Sequence, residues 1–358
     1  MSVSDVGKDP SLAALRQRIF GGTIEGNADY LRWKYGDNPY PDATTMIVAR
    51  INGAAVAMRG MMGTSWETLA GAEPKLIPCG ADLGIDQEHR NEGLFEELHA
   101  ETIGRCAALG FPYMISLSAN PRNNISSTVL LGWRSATGYE PLRALREDHG
   151  PMGIRRIVRS AGRRAVPGAR NVSPFRRFDR SRAPDDRPIT VQKEPPTDQM
   201  AELVARIGHT GRIRHDRHPN YLEWRYRNPL RRYRFLTWGD SEIDAYLVLG
   251  APLGGPRVCI VDSEAVDPEL TCRLLDYAIP AGRFHNLWTW AVGTSPHVVA
   301  YLRQHGFRDA TGPEARHMGL LVRGTGSDIS DPASWTLDGH QLVDAATWDL
   351  RMVYSDAY

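Results

Sequence analysis

The sequence contains few cysteines, and their spacing suggests no covalent or metal-bound framework. Four occur among 358 residues, and no two of them form a C-x-x-C pair. This spacing argues against a zinc knuckle and against a small disulfide-stapled fold. His215 and His218 have the i, i+3 spacing of a metal pair, but no third ligand lies near them in the sequence. We therefore expect no metal, and we expect a reducing compartment, the cytoplasm.

Long apolar runs are also absent. No window approaches the roughly 18 apolar residues that a membrane-spanning helix needs. The opening residues "MSVSDVGKDPSLAALRQRIF" lack the basic region and apolar core of a secretory leader. We therefore expect neither a membrane span nor secretion. The hydrophobic content of 42% is sufficient for the cores of two ordinary domains.

Excess charge of one sign is small overall but is concentrated in one stretch. The net charge is +1, yet between positions 141 and 187 thirteen arginines stand against five acids. The stretch is rich in Pro and Gly and has little periodicity beyond one possible helix at 154–164, which predicts a surface linker. Three uses of it remain open: a solvated segment, a helix on anionic lipid, or a contact with nucleic-acid phosphates.

A repeated segment divides the chain into two copies. "YLRWKYGDNPY" at 30–40 is matched by "YLEWRYRNPLRRY" at 221–233, and each is followed by a period-2 segment that predicts a hairpin. Gly-aromatic pairs recur at Gly132 and Gly306. The predicted organisation is an N-terminal domain at 1–150, a linker at 151–192 and a C-terminal domain at 193–358. The repeated aromatic side chains are expected to lie in the core.

Within the first copy, the alternation of helical and strand patterns predicts a mixed α/β (α+β) sheet flanked by helices. The elements expected, in order, are a helix at 12–20, two strands within 45–63, a strand at 76–85, a helix at 93–109, a strand at 113–118 and a helix that ends near 131.

The stretch "HRNEGLF" at 89–95 joins the third of these strands to the following helix. An uncapped helix start exposes backbone N–H groups and a partial positive charge, both of which favour an anion. Gly93 lets the backbone come close to such a ligand, and Arg90 adds a charge-assisted donor. The stretch therefore predicts a phosphate-binding turn, with pyrophosphate as the expected ligand.

These residues resemble motif A of the GNAT superfamily of acyl-CoA-dependent N-acetyltransferases, whose pattern is [QR]-x-x-G-x-[GA]. Arg90 and Gly93 fill the first two conserved positions, and Phe95 occupies the last. Downstream, "LGFPYMISLSANPRNNISSTVLLGW" resembles motif B of the same family. The resemblance covers 29–139 well and 221–309 more weakly, which implies two tandem GNAT-like domains.

The resemblance also implies roles for particular residues. In the family, two neighbouring strands splay apart and the pantetheine arm of coenzyme A binds between them. The implied cofactor-binding residues are Leu83 and Ile85 through their backbones, the turn residues Arg90, Asn91, Glu92, Gly93 and Leu94, and Asn120. A carboxylate must accept the proton of the attacking amine; Asp82 is the leading candidate and Glu25 the second. Thr128 occupies the position at which the family usually has the tyrosine that acts as general acid.

The function implied is transfer of an acetyl or other short acyl group from acyl-CoA to a small amine by direct attack on the thioester. The second copy lacks residues equivalent to "RNEG", so it is expected to bind no coenzyme A. Two alternatives remain open: an aminoacyl-tRNA-dependent transferase of the Fem type, and a non-catalytic sensor or scaffold that binds coenzyme A. The oligomeric state is not predicted.

Overall fold

We describe the chain from a computed structural model. It describes residues 3–117, 121–136, 144–147, 173–181, 188–253, 255, 257–282, 284, 287–309, 319–326, 330–331 and 335–355. The α-helices are α1 (Pro10–Phe20), α2 (Ile24–Leu31), α3 (Leu94–Ala108), α4 (Pro121–Leu131), α5 (Thr197–Ile207), α6 (Pro219–Tyr226), α7 (Pro268–Gly282) and α8 (Pro296–Gln304). Within these ranges no helix is long and apolar enough to cross a bilayer.

The strands alternate with these helices along the chain. They are β1 (Thr45–Ile51), β2 (Ala54–Met62), β3 (Ser65–Glu67), β4 (Lys75–Leu76), β5 (Cys79–Ile85), β6 (Tyr113–Ser116), β7 (Arg134–Ser135), β8 (Ala144–Glu147), β9 (Ile189–Gln192), β10 (Ile213–His215), β11 (Arg231–Gly239), β12 (Ile243–Pro252), β13 (Val258–Ala265), β14 (Leu287–Trp290), β15 (Arg308–Asp309), β16 (Leu321–Gly324), β17 (Thr336–Leu337), β18 (His340–Gln341) and β19 (Trp348–Asp349).

The chain folds into two compact units, each built from segments that are not adjacent in sequence. Unit 1 comprises Met1–Arg143, Pro195–Leu230 and Thr311–Tyr358, and unit 2 comprises Ala144–Glu194 and Arg231–Ala310. These units do not coincide with the contiguous ranges predicted from the repeat. The second aromatic repeat segment lies in unit 1, whereas the hairpin that follows it lies in unit 2.

The six-stranded sheet of unit 1 has the order β1-β2-β5-β6-β16-β7, and a smaller sheet has the order β19-β10-β3-β4. β1 and β2 form the predicted hairpin, whose turn is Asn52-Gly53 with φ of 49° and 83°. Positive φ at both central residues matches the right-handed twist of the strands, and Asn-Gly is the pair that adopts it most readily. The hydrophobic side of this half of the sheet packs on α1 and α2 through Leu12, Leu31 and Met58.

The sheet of unit 2 has the order β15-β8-β14-β13-β12-β11-β9. The two units exchange one strand each. β16, which comes late in the sequence, joins the sheet of unit 1 and pairs antiparallel with both β6 and β7. β8, which follows the first copy, joins the sheet of unit 2 and pairs antiparallel with both β14 and β15. β7 and β15 follow the repeated Gly-aromatic pairs, so β16 and β8 occupy equivalent positions. This exchange is one reason why neither unit is contiguous, and the place of Pro195–Leu230 in unit 1 is another.

Part of the segment predicted as a surface linker lies in unit 2 instead. β9 pairs with β11, and Phe175 and Phe178 are 0% and 1% exposed in the main hydrophobic cluster of that unit. Arg234 donates two hydrogen bonds to Asp179 and lies over the Phe175 ring. The arginine-rich composition of this stretch predicted an exposed segment and gave no indication that two of its aromatic residues are buried. The possible helix at 154–164 falls outside the described residues.

The two copies of the aromatic repeat segment meet inside unit 1. The indole rings of Trp33 and Trp224 stack at 5.1 Å with a 13° angle between their planes. Each indole N–H donates to the backbone carbonyl of the other residue, at 2.6 and 2.7 Å. Both tryptophans are buried, which confirms their predicted place in the core.

We expect Trp33→Phe to lower the free energy of unfolding of unit 1 by about 2 kcal/mol. The change removes one of the two donors to the carbonyl of Trp224, which keeps only the N–H of Arg227 at 3.1 Å, and it shrinks the stacked surface. Urea unfolding followed by circular dichroism measures the loss. Trp238→Phe, at a half-buried ring in unit 2, serves as the control. Equal losses for the two variants would contradict a specific role for the reciprocal hydrogen bonds.

Candidate functional site

The edge of β5 that faces β6 is open along most of its length. The two strands run parallel and pair only at Cys79↔Ile115, although β5 continues to Ile85. No other strand in the described part of the chain pairs with this edge. β5 and β6 therefore separate after Cys79, as expected for two central strands that splay apart, and the space beside the unpaired edge of β5 is hereafter called the cleft.

The backbone of β5 presents hydrogen-bonding groups to this cleft. The N–H of Asp86 donates to Val56 O of β2 at 2.9 Å. Backbone groups of successive residues point to opposite sides of a regular strand, so those of Ile85 point away from β2; Leu83 lies beside them, at the edge of an irregularity in β5. These are the two residues predicted to bind an extended ligand through their backbones.

A β-bulge interrupts β5 beside the cleft. Met58 pairs with Gly84 and Gly60 pairs with Ala81, so Asp82 and Leu83 together oppose a single residue of β2. Asp82 has a φ of 43°, a left-handed conformation that few residues other than glycine adopt. The bulge redirects the backbone at the middle of the open edge.

The residues after β5 form the predicted turn at the start of α3. Gly93 has a φ of 80° and precedes the first helical residue, Leu94, and no side chain caps the helix. Asn91 also has a positive φ, 72°. The first N–H groups of a helix have no partner within it, so this exposed turn, hereafter the 90–94 turn, presents donors to solvent. That is the arrangement in which an anion binds at a helix start.

Charged side chains surround the 90–94 turn. Arg90 is exposed on it, as are the acids Glu92, Glu96 and Glu97. The carboxylate of Glu92 lies 3.1 Å from His89 Nδ1, within the same turn. Because the acids offset the charge of Arg90, any anion bound here would depend on the directed backbone N–H groups and on the guanidinium of Arg90.

Two buried basic residues that the sequence did not single out lie near the cleft. Arg59 of β2 is 7% exposed, and its guanidinium lies beside Gly80, where β5 and β6 begin to diverge. His99 of α3 bonds through Nδ1 to Phe95 O, and burial together with the charge of Arg59 lowers its pKa to about 4. His99 is therefore neutral at pH 7. The sequence feature that could have pointed to Arg59 is its position as a single charged residue within the apolar strand "AAVAMRGMM".

Asp82 lies at the centre of a buried ionic network on the side of β5 that faces α1 and α2. Its carboxylate is 2.8 Å from Lys34 Nζ and 3.4 Å from Arg16 Nε, and it accepts a hydrogen bond from Tyr35 Oη at 2.7 Å. Lys34 and Tyr35 are fully buried. Both residues belong to the first repeat segment, 30–40, so that segment supplies two of the three groups that bond to Asp82.

These contacts oppose the predicted role of Asp82 as a general base. Burial raises the pKa of its carboxyl group, but the charges of Lys34 and Arg16 outweigh burial and lower the pKa to about 2. A carboxylate with so low a pKa is a weak proton acceptor, and its oxygens are already bonded to three donors. The geometry fits a structural role instead.

The remaining predicted positions are less informative. Asn120 lies outside the described residues. Thr128 of α4, which stands where the family's Tyr is expected, donates from its hydroxyl to Ile125 O at 3.0 Å. A hydroxyl committed to its own helix is a poor candidate for a general acid.

Unit 2 contains the corresponding strands but a different helix start. β13 pairs with β14 only at Val258 and Cys259, so its further edge is also open. However, only two residues separate β13 from the start of α7 at Pro268, whereas eight residues separate β5 from α3. Pro268 has no N–H, and the side chain of Asp267 accepts from the N–H of Glu269. Unit 2 thus lacks the open donors of the 90–94 turn.

Sequence comparison gave no relatives: no protein-family model and no curated protein matches the chain. Comparison with solved structures did. A probable N-acyltransferase of Enterococcus faecalis superposes with a TM-score of 0.56 at 9% identity, over 91% of this chain and 71% of that one. A GCN5-related N-acetyltransferase of Anabaena variabilis gives 0.55 at 12% identity, over 89% and 70%.

A third similar structure has the same two-copy organisation. It is a tandem GNAT protein from the clavulanic acid biosynthesis pathway, with a TM-score of 0.54 at 13% identity. The match covers 92% of this chain and 98% of that one. Because the whole of a tandem protein is matched by nearly the whole of this chain, the fold of this chain is the tandem GNAT fold.

Proposed function

We propose that the chain is an acyl-CoA-dependent N-acyltransferase whose donor binds in unit 1. The observation that carries the proposal is the combination of an open β5 edge with an uncapped, glycine-containing helix start at its end. An extended arm with amide groups fits the first feature, and a pyrophosphate fits the second. Coenzyme A carries both on one molecule.

Each part of the site would then have a distinct task. The backbones of Leu83 and Ile85 would hydrogen-bond the pantetheine amides, and the N–H groups and Arg90 of the 90–94 turn would hold the pyrophosphate. Gly93 keeps the approach to the N–H groups free of a side chain. Arg59 would supply positive charge at the closed end of the cleft.

The reaction would be direct attack of an amine of the acceptor on the thioester carbonyl of the donor, with acetyl-CoA or another short acyl-CoA as the donor. The acceptor is a small amine. An ordinary amine must lose a proton before it attacks, and neither Asp82 nor Thr128 is placed to manage that proton. Glu25, exposed in the first turn of α2, stays the second candidate for the proton acceptor, and water can also fill the role.

Titration calorimetry with acetyl-CoA tests the donor site. We expect saturable binding in the micromolar range, weakened about tenfold by Arg90→Ala through the loss of a charge-assisted bond. Arg105→Ala, at an exposed arginine near the other end of α3, is the matched control and should leave binding unchanged. Absence of saturable binding by the unaltered chain would refute the proposal.

Assays of acyl transfer separate this proposal from its alternatives. Release of free coenzyme A thiol in the presence of a panel of small amines is the outcome expected for a transferase. Acetyl-CoA binding without thiol release on any amine would indicate a sensor. Transfer from aminoacyl-tRNA that falls steeply with added salt would indicate the Fem-type reaction, because phosphate contacts are salt-dependent.

A further inference from the structure

Three side chains with different donor atoms converge where α7 and α8 begin in unit 2. Glu269 and Cys272 lie three residues apart on α7, and His297 is the second residue of α8. The carboxylate, thiol and imidazole donor atoms all lie within 4.8 Å of one another. Across the described ranges, no other group of three such residues meets this condition.

We propose that Glu269, Cys272 and His297 form a binding site for a divalent transition metal, with Zn²⁺ as the best fit. Tetrahedral zinc with bonds of about 2.0–2.3 Å places its ligand atoms roughly 3.3–3.8 Å apart. His297 Nε2 and Glu269 Oε2 are already 3.3 Å apart. A thiolate and an imidazole select zinc over calcium and magnesium, which prefer oxygen ligands alone.

The burial of the three groups gives the site one closed and one open side. Cys272 is 2% exposed, whereas the side chains of Glu269 and His297 are 49% and 58% exposed. A metal ion therefore enters from solvent and meets the thiol on its inner side. Three protein ligands leave a fourth position, which a water molecule fills.

The electrostatic surroundings favour a cation. The carboxylates of Asp267 and Asp276, on either side of the set in the sequence, join that of Glu269 in placing negative charge near Cys272. This negative potential favours a divalent ion. The cation nearest to Glu269 is Arg273, at 3.7 Å; its side chain is 52% exposed and its guanidinium also lies over the Trp238 ring.

The site occupies the place in unit 2 that corresponds to the 90–94 turn of unit 1, because both follow the open-edged strand. Where unit 1 presents unbonded N–H groups, unit 2 presents Pro268, a capping Asp267 and the metal-binding set. The second copy has thus exchanged an anion-binding helix start for a cation-binding one. This inference does not depend on acyl transfer by unit 1.

Cobalt titration of the metal-free protein tests the site, because a Co²⁺–thiolate bond gives a charge-transfer absorption. We expect a saturable band at one Co²⁺ per chain that Zn²⁺ displaces. Cys272→Ser should abolish the band, and His297→Ala should weaken Co²⁺ binding at least tenfold, roughly the loss of one ligand. His297 is largely exposed, so its variant is expected to fold even if the Cys272 variant does not.

Two control variants make the assignment specific. Cys259→Ser removes another buried thiol of unit 2, and His305→Ala removes an exposed imidazole just after α8. Both should bind Co²⁺ as the unaltered chain does. The inference is overturned if the unaltered chain gives no saturable band, or if the band persists in Cys272→Ser.

Discussion

Replacing Asp82 with Asn is expected to lower the free energy of unfolding of unit 1 by about 3–5 kcal/mol, the cost of leaving a buried charge without its partner. Lys34 is fully buried and Arg16 is 8% exposed, so neither can reach water when the carboxylate is gone. Asn tolerates positive φ as well as Asp does, so the change isolates the loss of charge from any change in backbone strain.

The pH dependence of stability gives the same network a second signature. The folded pKa of Asp82, about 2, is below its ordinary value of 3.8. The contribution of the carboxylate is therefore complete above about pH 5 and is lost as the pH falls through about 2. The difference in unfolding free energy between the unaltered chain and Asp82→Asn should narrow over this range.

Asp86→Asn is the matched control for Asp82→Asn. Asp86 lies just after β5 and, like Asp82, pairs with an arginine, Arg18, at 2.7 Å, but the Arg18 side chain is 46% exposed. Such a pair contributes less than about 1 kcal/mol. If Asp82→Asn abolished acyl transfer while leaving stability unchanged, Asp82 would be restored as the catalytic base.

Replacing Gly93 with Val is expected to raise the dissociation constant for acetyl-CoA at least about 100-fold, or roughly 3 kcal/mol. A side chain at φ of 80° is strained, and a β-branched one more so. A Cβ at this position meets only Glu97 Oε1, at 4.0 Å, so the added atoms project into open space. In the proposed site, that space belongs to the pyrophosphate.

Gly110→Val separates loss of the ligand site from loss of stability. Gly110 follows the other end of α3 and has a φ of 83°, and a Cβ added there would have no atom within 4 Å. It therefore reproduces the backbone strain away from the proposed site. Both variants should lose similar stability by thermal unfolding, but only Gly93→Val should lose acetyl-CoA binding. Binding retained within about threefold in Gly93→Val would contradict the site.

Local chemistry made much of unit 1 predictable. Asn52-Gly53 set the hairpin, and the period-2 apolar residues on either side set its strands. The switch to helical spacing after Gly93 located α3, whose observed start at Leu94 is one residue from the predicted one. These features depend on residues close together in the sequence, and the patterns there are strong.

The role of Asp82 could not be read from the sequence for the opposite reason. Its partners Lys34 and Arg16 are 48 and 66 residues away along the chain, and no local pattern shows that α1, the repeat segment and β5 meet. The proposed metal site of Glu269, Cys272 and His297 could not be predicted from the sequence for the same reason. Spacing along the chain does not bring His297 near the other two residues, because it belongs to another helix.

The sequence by itself determined the duplicated α/β pattern, the open helix start at Gly93 and its absence from the second copy. Each of these follows from turn chemistry or periodicity within a short window. Only the tertiary structure decided which segments share a sheet and which charged groups share a buried site. The exchange of β8 and β16 depends on contacts between distant parts of the chain, and so does the pairing of Asp82 with Lys34 and Arg16. Such contacts form because folding buries large apolar surfaces together, and no short segment of the sequence specifies them.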